Sequence, residues 1–125
     1  MEQARFFSWL DRLLSRRFPD RTAALCLNLY EGGPAAWSAE LIGADRFDPA
    51  DPDWACGETA AFREDPFRFR REGGWEAAQA EAVSALTAYL ERGSRADVMK
   101  AFQAVAAGFV DGDLELVYTA SELQP

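Results

Sequence analysis

Apolar side chains recur at helical spacing between Trp75 and Arg92 but alternate with period two on either side of that stretch, and this change of period limits what the chain can fold into. Trp75, Ala78, Ala82, Val83, Leu86, Tyr89 and Leu90 fall on one stripe of an amphipathic helix, and Gly93 stands where a helix C-cap belongs. Before it, Leu25, Leu27 and Leu29 alternate with Ala24, Cys26, Asn28 and Tyr30, which predicts a strand over 23–30. Glu31-Gly32-Gly33-Pro34 supplies turn chemistry, and Trp37, Ala39 and Leu41 resume the alternation, so the two runs predict an antiparallel hairpin. After the helix, Asp111-Gly112 reads as a two-residue hairpin turn between strands at 104–110 and 113–119. In that register Phe109 faces Leu114, Ala107 faces Leu116 and Val105 faces Tyr118, which leaves one side of the ribbon apolar.

Shorter elements complete the order. Phe6, Trp9, Leu10, Leu13 and Leu14 predict an amphipathic helix within 3–17, stopped by Pro19. Phe67 and Phe69 interleaved with Arg68 and Arg70 predict a short strand with a cationic face. Ser94-Arg95-Ala96-Asp97 has capping-box spacing and opens a second, shorter helix, while Ser121 to Pro125 reads as a frayed tail. The sequence therefore predicts a single α+β domain over 1–125, an antiparallel sheet of about four to six strands with helices packed mainly on one face.

Composition removes several classes of function. With 13 basic against 21 acidic residues the net charge is near -8, which repels nucleic-acid phosphates and anionic lipid heads. The apolar runs are too short to span a membrane and the first residues do not read as a secretion signal, so the expected compartment is the cytoplasm. There is no histidine, Lys100 is the only lysine, and Cys26 and Cys56 lack the histidine that normally activates a thiol. Both cysteines read as small buried apolar groups. The expectation is a non-enzyme with no catalytic residue, no cofactor and no metal.

The remaining candidate lies in residues 45–58, where five carboxylates and two prolines surround Phe47 and Trp54. Asp45, Asp48, Asp51 and Asp53 invite a calcium reading, but Pro49 and Pro52 break the alternation and curl of a calcium loop. A stiff acidic loop serves protein contact better. In that reading Asp45, Asp48, Asp51, Asp53 and Glu58 supply charge, and Phe47 and Trp54 supply buried anchors. Trp37 and Trp75 read instead as core residues.

The runs Ala107-Gly108-Phe109-Val110-Asp111-Gly112-Asp113-Leu114-Glu115 and Trp54-Ala55-Cys56-Gly57-Glu58 resemble small bacterial uncharacterised proteins and antidotes of toxin and immunity systems. The resemblance implies an immunity-type inhibitor whose partner is a basic toxin. The alternative expectation is a homodimeric accessory subunit that binds through the exposed side of the terminal hairpin, with Val110 and Val117.

Overall fold

A computed structural model describes residues 1–120, the side chain of Pro52 excepted. The tail expected at 121–125 lies outside the described residues. Helix α1 (Gln3–Leu14) leads into strands β1 (Ala24–Gly33) and β2 (Ala36–Ala44). A loop with a short 3-10 turn (Pro52–Cys56) follows, then β3 (Glu58–Ala61) and β4 (Phe67–Arg70). Helices α2 (Gly74–Arg92) and α3 (Ala96–Lys100) then return the chain to β5 (Ala104–Phe109) and β6 (Glu115–Thr119).

The sheet runs β3-β2-β1-β5-β6, with β4 pairing β2 further along the same edge as β3. Its pairings are antiparallel except one: β5 lies parallel to β1, from Ala24 beside Ala104 to Leu29 beside Phe109. The fold is α+β as expected, but the sheet is mixed. The α2–α3 crossover carries the chain over one face and delivers β5 to the free side of β1 in the same direction as β1.

On that face the predicted stripes meet. Phe6, Leu10 and Leu13 of α1, Ala82, Leu86 and Tyr89 of α2, and Met99 of α3 pack on Leu25, Leu27, Leu29, Leu41 and Val105. Tyr89 ties the three helices together, because its buried hydroxyl donates to Asp11 at 2.6 Å and accepts the backbone N–H of Arg95 at 3.2 Å. That bond replaces the expected capping box: α3 starts after Arg95 with no side-chain cap. Two arginines hold the outer side of α1. Arg12 grips Asp65 through two nitrogens at 2.8 and 3.0 Å, and Arg16 reaches Glu64 at 2.6 Å. These contacts draw both carboxyls below their usual range, chiefly through the arginine hydrogen bonds. A carboxyl whose folded pKa is depressed adds stability above its unfolded value near 4 and loses it as pH falls through the lower folded value, so this clamp loosens only in acid below about pH 4.

Two sequence expectations are corrected. The terminal hairpin keeps Val105 beside Tyr118, but the register slips between Val105 and Ala106, so Ala106 faces Leu116 and Ala107 faces Glu115. One extra residue on β6 forms a bulge, and Leu116 turns to the other face, 45% exposed. The tight Asp-Gly turn widens into a loop that folds back over the sheet: a Cβ at Gly108 would lie 2.7 Å from the carbonyl oxygen of Asp113. Trp75 is also displaced from the core. It occupies the first turn of α2, touches the sheet edge to face at Phe109, and is 55% exposed.

Replacing Tyr89 with phenylalanine should leave the fold intact and cost about 1–3 kcal/mol, since the N–H of Arg95 loses its partner in a buried setting. Urea unfolding should show a lower midpoint at unchanged slope.

Candidate functional site

The opposite face of the sheet governs the acidic loop. Ala24, Cys26, Ile42, Ala44, Ala104 and Ala106 form a patch of small side chains on which no helix packs. The loop covers it. Trp54 is only 4% exposed and seats on these residues, with Phe47 against it edge to face at 5.2 Å and Leu114 of the hairpin loop beside them. Small residues below and a large ring above make a flat, well-filled contact, which explains why a segment rich in carboxylates and proline stays on the sheet.

Local hydrogen bonds shape the loop between these anchors. Its ends are joined by the N–H of Asp45 donating to the Gly57 carbonyl at 2.8 Å, and the Asp45 carboxylate lies so close to Gly57 that a Cβ there would collide with it. Asp48 accepts the N–H of Ala50 at 2.9 Å, and Asp51 accepts that of Asp53 at 2.9 Å, capping the 3-10 turn. Arg46 donates to Asp51 at 2.7 Å and lowers its pKa, with the Asp53 N–H adding to the effect. Arg63 chelates Glu58 at 2.7 and 2.9 Å.

The proposed site residues therefore divide into three groups. Phe47 and Trp54 are half-buried and buried respectively, and they anchor the loop to its own sheet, so they are not available as anchors in a partner. Asp51 and Glu58 are engaged by the protein's own arginines. Asp45 and Asp53 stand exposed, and Asp48 is half-exposed. Beside the loop, a cleft of about 260 Å³ is bounded by Pro49, Asp51 and Trp54 on one side and by Asp113, Leu114 and Leu116 on the other. Sequence reasoning missed Asp113 and Leu116 as members of this surface. The bulge in β6 that brings Leu116 here leaves no periodic signal.

Acid–base chemistry finds little support. The carboxyls whose acidity is displaced, Asp51, Glu64 and Asp65, all move downward, the wrong direction for a proton donor near neutral pH. Among the described residues no three His, Cys, Asp or Glu side chains converge to hold a metal. Glu40 is the one carboxylate of this face with a buried oxygen lacking a hydrogen bond, and Arg63 lies 3.8 Å from that oxygen. Cys26 is sealed beneath the loop, where burial pushes its thiol up to about 12, and it donates to the side-chain oxygen of Asn28 at 3.2 Å. Cys56 is exposed, contrary to the expectation that both thiols are buried, because it lies at the outer end of the 3-10 turn.

No family model, curated protein or solved structure matches the chain. Among the described residues no helix is long and apolar enough to cross a membrane.

Two measurements test this arrangement. Trp54→Ala should lower stability by about 3 kcal/mol, as for removal of a buried aromatic, whereas an idle surface ring would leave it unchanged. In a thiol-reagent titration, Cys56 should react at once and Cys26 only on unfolding.

Proposed function

We propose that the protein is a non-catalytic, protein-binding domain that meets a basic partner with its acidic loop, in the manner of an immunity-type inhibitor. One observation carries the reading. The loop is pinned by Phe47 and Trp54 and held in shape by its own hydrogen bonds, so Asp45, Asp48 and Asp53 are presented on a prearranged surface. Prearranged charge favours binding, since little conformational freedom is lost on contact. Leu116, exposed across the cleft with Asp113 and Leu114, supplies the apolar contact first assigned to the loop's aromatics.

The charge balance supports the same reading. Residues 45–58 hold five carboxylates against one arginine, and such a surface speeds encounter with a cationic protein. Occlusion of the partner's working surface requires no catalytic group on this chain.

The test uses the basic product of an adjacent gene, co-expressed and then mixed in rapid kinetics. Asp48→Lys with Asp53→Lys should slow association by about tenfold at low salt, and the difference should shrink as ionic strength rises. Leu116→Ser should instead speed dissociation. An unchanged association rate in the charge-reversed variant would remove the reading.

A further inference from the structure

We infer that the protein pairs with a second copy of itself through the corner of the sheet around Trp37, at the far end of β2 from the acidic loop. This goes beyond the loop reading and does not depend on it. The corner holds two hollows that share Trp37 as a common wall. One, of about 890 Å³, lies between the end of β1, the first turn of α2 and the β5–β6 loop. Its floor is aromatic: Phe109 meets Trp37 edge to face at 5.6 Å, and Trp75 meets Phe109 in the same way at 6.3 Å. Trp75 and Val110 are the two most exposed large apolar residues described, at 55% and 51%, and both line this hollow. Glu31 and Asp111 rim it.

The second hollow, of about 560 Å³, is lined by Arg5, Ser38, Arg68, Phe69 and Arg70 among others. Strand register sets the two side by side. Trp37 of β2 has Glu31 of β1 on one side and Phe69 of β4 on the other, and Arg68 and Arg70 flank Phe69 on the sheet's edge. All four charged groups, Glu31, Asp111, Arg68 and Arg70, are exposed and make no ion pair among the described residues. Alternation along β4 turns Arg68 and Arg70 to the face opposite Phe69, Trp37 and Glu31, so neither arginine closes on Glu31 within one chain.

A bare apolar groove with acids on one side of a corner and bare arginines on the other is complementary to itself. A two-fold axis through the Trp37 corner seats each copy's arginine edge on the other's acidic groove, so both contacts form twice and the assembly closes at two. A basic foreign segment would satisfy the acidic groove and leave Arg68 and Arg70 bare. Only a second copy answers both. This surface also differs from the hairpin contact expected from sequence, since Val110 belongs to it whereas Val117 packs half-buried against the core.

Two chains each near -8 repel at long range, so salt acts on such a pair in opposite directions. A charge swap avoids this ambiguity. Variant one carries Arg68→Glu and Arg70→Glu, variant two carries Glu31→Lys and Asp111→Lys, and their mixture has the same total charge as the native pair. In sedimentation equilibrium the native chain should reach twice the monomer mass and stop there. Each variant alone, folded by circular dichroism, should dimerise at least about tenfold more weakly, a loss of about 1.4 kcal/mol. Mixing the two should restore a dimer, and Trp75→Ser should weaken the native one. The inference is overturned if the native chain stays monomeric at about 0.1 mM, far above the range of a specific pair. It is equally overturned if either variant dimerises like the native chain, if the mixture stays monomeric, or if mass grows beyond two. The loop variants at Asp48 and Asp53 belong to the other end of β2, so failure of the dimer leaves the loop reading standing.

Discussion

Burial of β1 on both faces is the constraint from which the rest of the structure follows. From Ala24 to Leu29 every residue is buried, so this strand cannot stand as the half-wet member of a two-layer sheet. Leucines on one side require the helices, and α1, α2 and α3 supply that layer. Alanine, cysteine and asparagine on the other side leave too shallow a surface for a helix, and a loop carrying one tryptophan fills it. Asn28 is the only buried polar residue of the described core, 8% exposed, and its side-chain oxygen is met by the Cys26 thiol. The acidic loop is therefore part of the fold before it is part of any function.

Local periodicity made much of this legible in the sequence. The stripe from Ala78 to Leu90 and the alternation of Leu25, Leu27 and Leu29 follow from rules that act within a few residues and lie where their spacing places them, whereas the turn after β1 falls at Pro34-Ala35 because Glu31 to Gly33 continue the strand. What escaped depends on partners distant in the chain. The parallel seating of β5 on β1 is set by the path of the crossover, and the slip beyond Val105 by how Tyr118 and Leu116 each find a face. Trp75 carries the periodicity of a core residue but stands 55% exposed in the first turn of α2. The candidate loop is irregular apart from one 3-10 turn, as its prolines predict, but the sequence assigns its two aromatics to a partner because it gives no sign of the alanine patch beneath them.

Arginine chemistry decides where the remaining negative charge is left. Lys100 is the only lysine among the 13 cationic residues, and the planar guanidinium can hold a carboxylate through two nitrogens in a way ammonium cannot. Arg12 uses that geometry on Asp65, and Arg63 holds both oxygens of Glu58 with one nitrogen; both fasten the segments beside β2, at sites where the ion pairs are largely exposed and add little stability of their own. Their effect is on position. By occupying Asp65, Glu64, Asp51 and Glu58 they leave exposed acid on the loop's outer surface, the hairpin tip and the end of β1, besides Glu2, Glu72, Glu76, Asp97 and Glu115 elsewhere.

The surplus behind a net charge of -8 is thus dense at the loop, where residues 45–58 hold five carboxylates against one arginine. Spread evenly, the surplus would oppose self-association and give no direction to approaching cations. Gathered on a loop pinned at one end of β2, it forms a directional field for a basic protein, while the other end keeps its arginines bare beside an aromatic groove. The hairpin loop between β5 and β6 links the two ends, since Val110 and Asp111 border the groove and Asp113 borders both the groove and the loop cleft. Its path across Gly108, where only glycine leaves room for the backbone of Asp113, fixes both edges at once. A side chain at Gly108 would lift that loop from the sheet and disturb the cleft and the groove together, because the two surfaces share Asp113 and one backbone support.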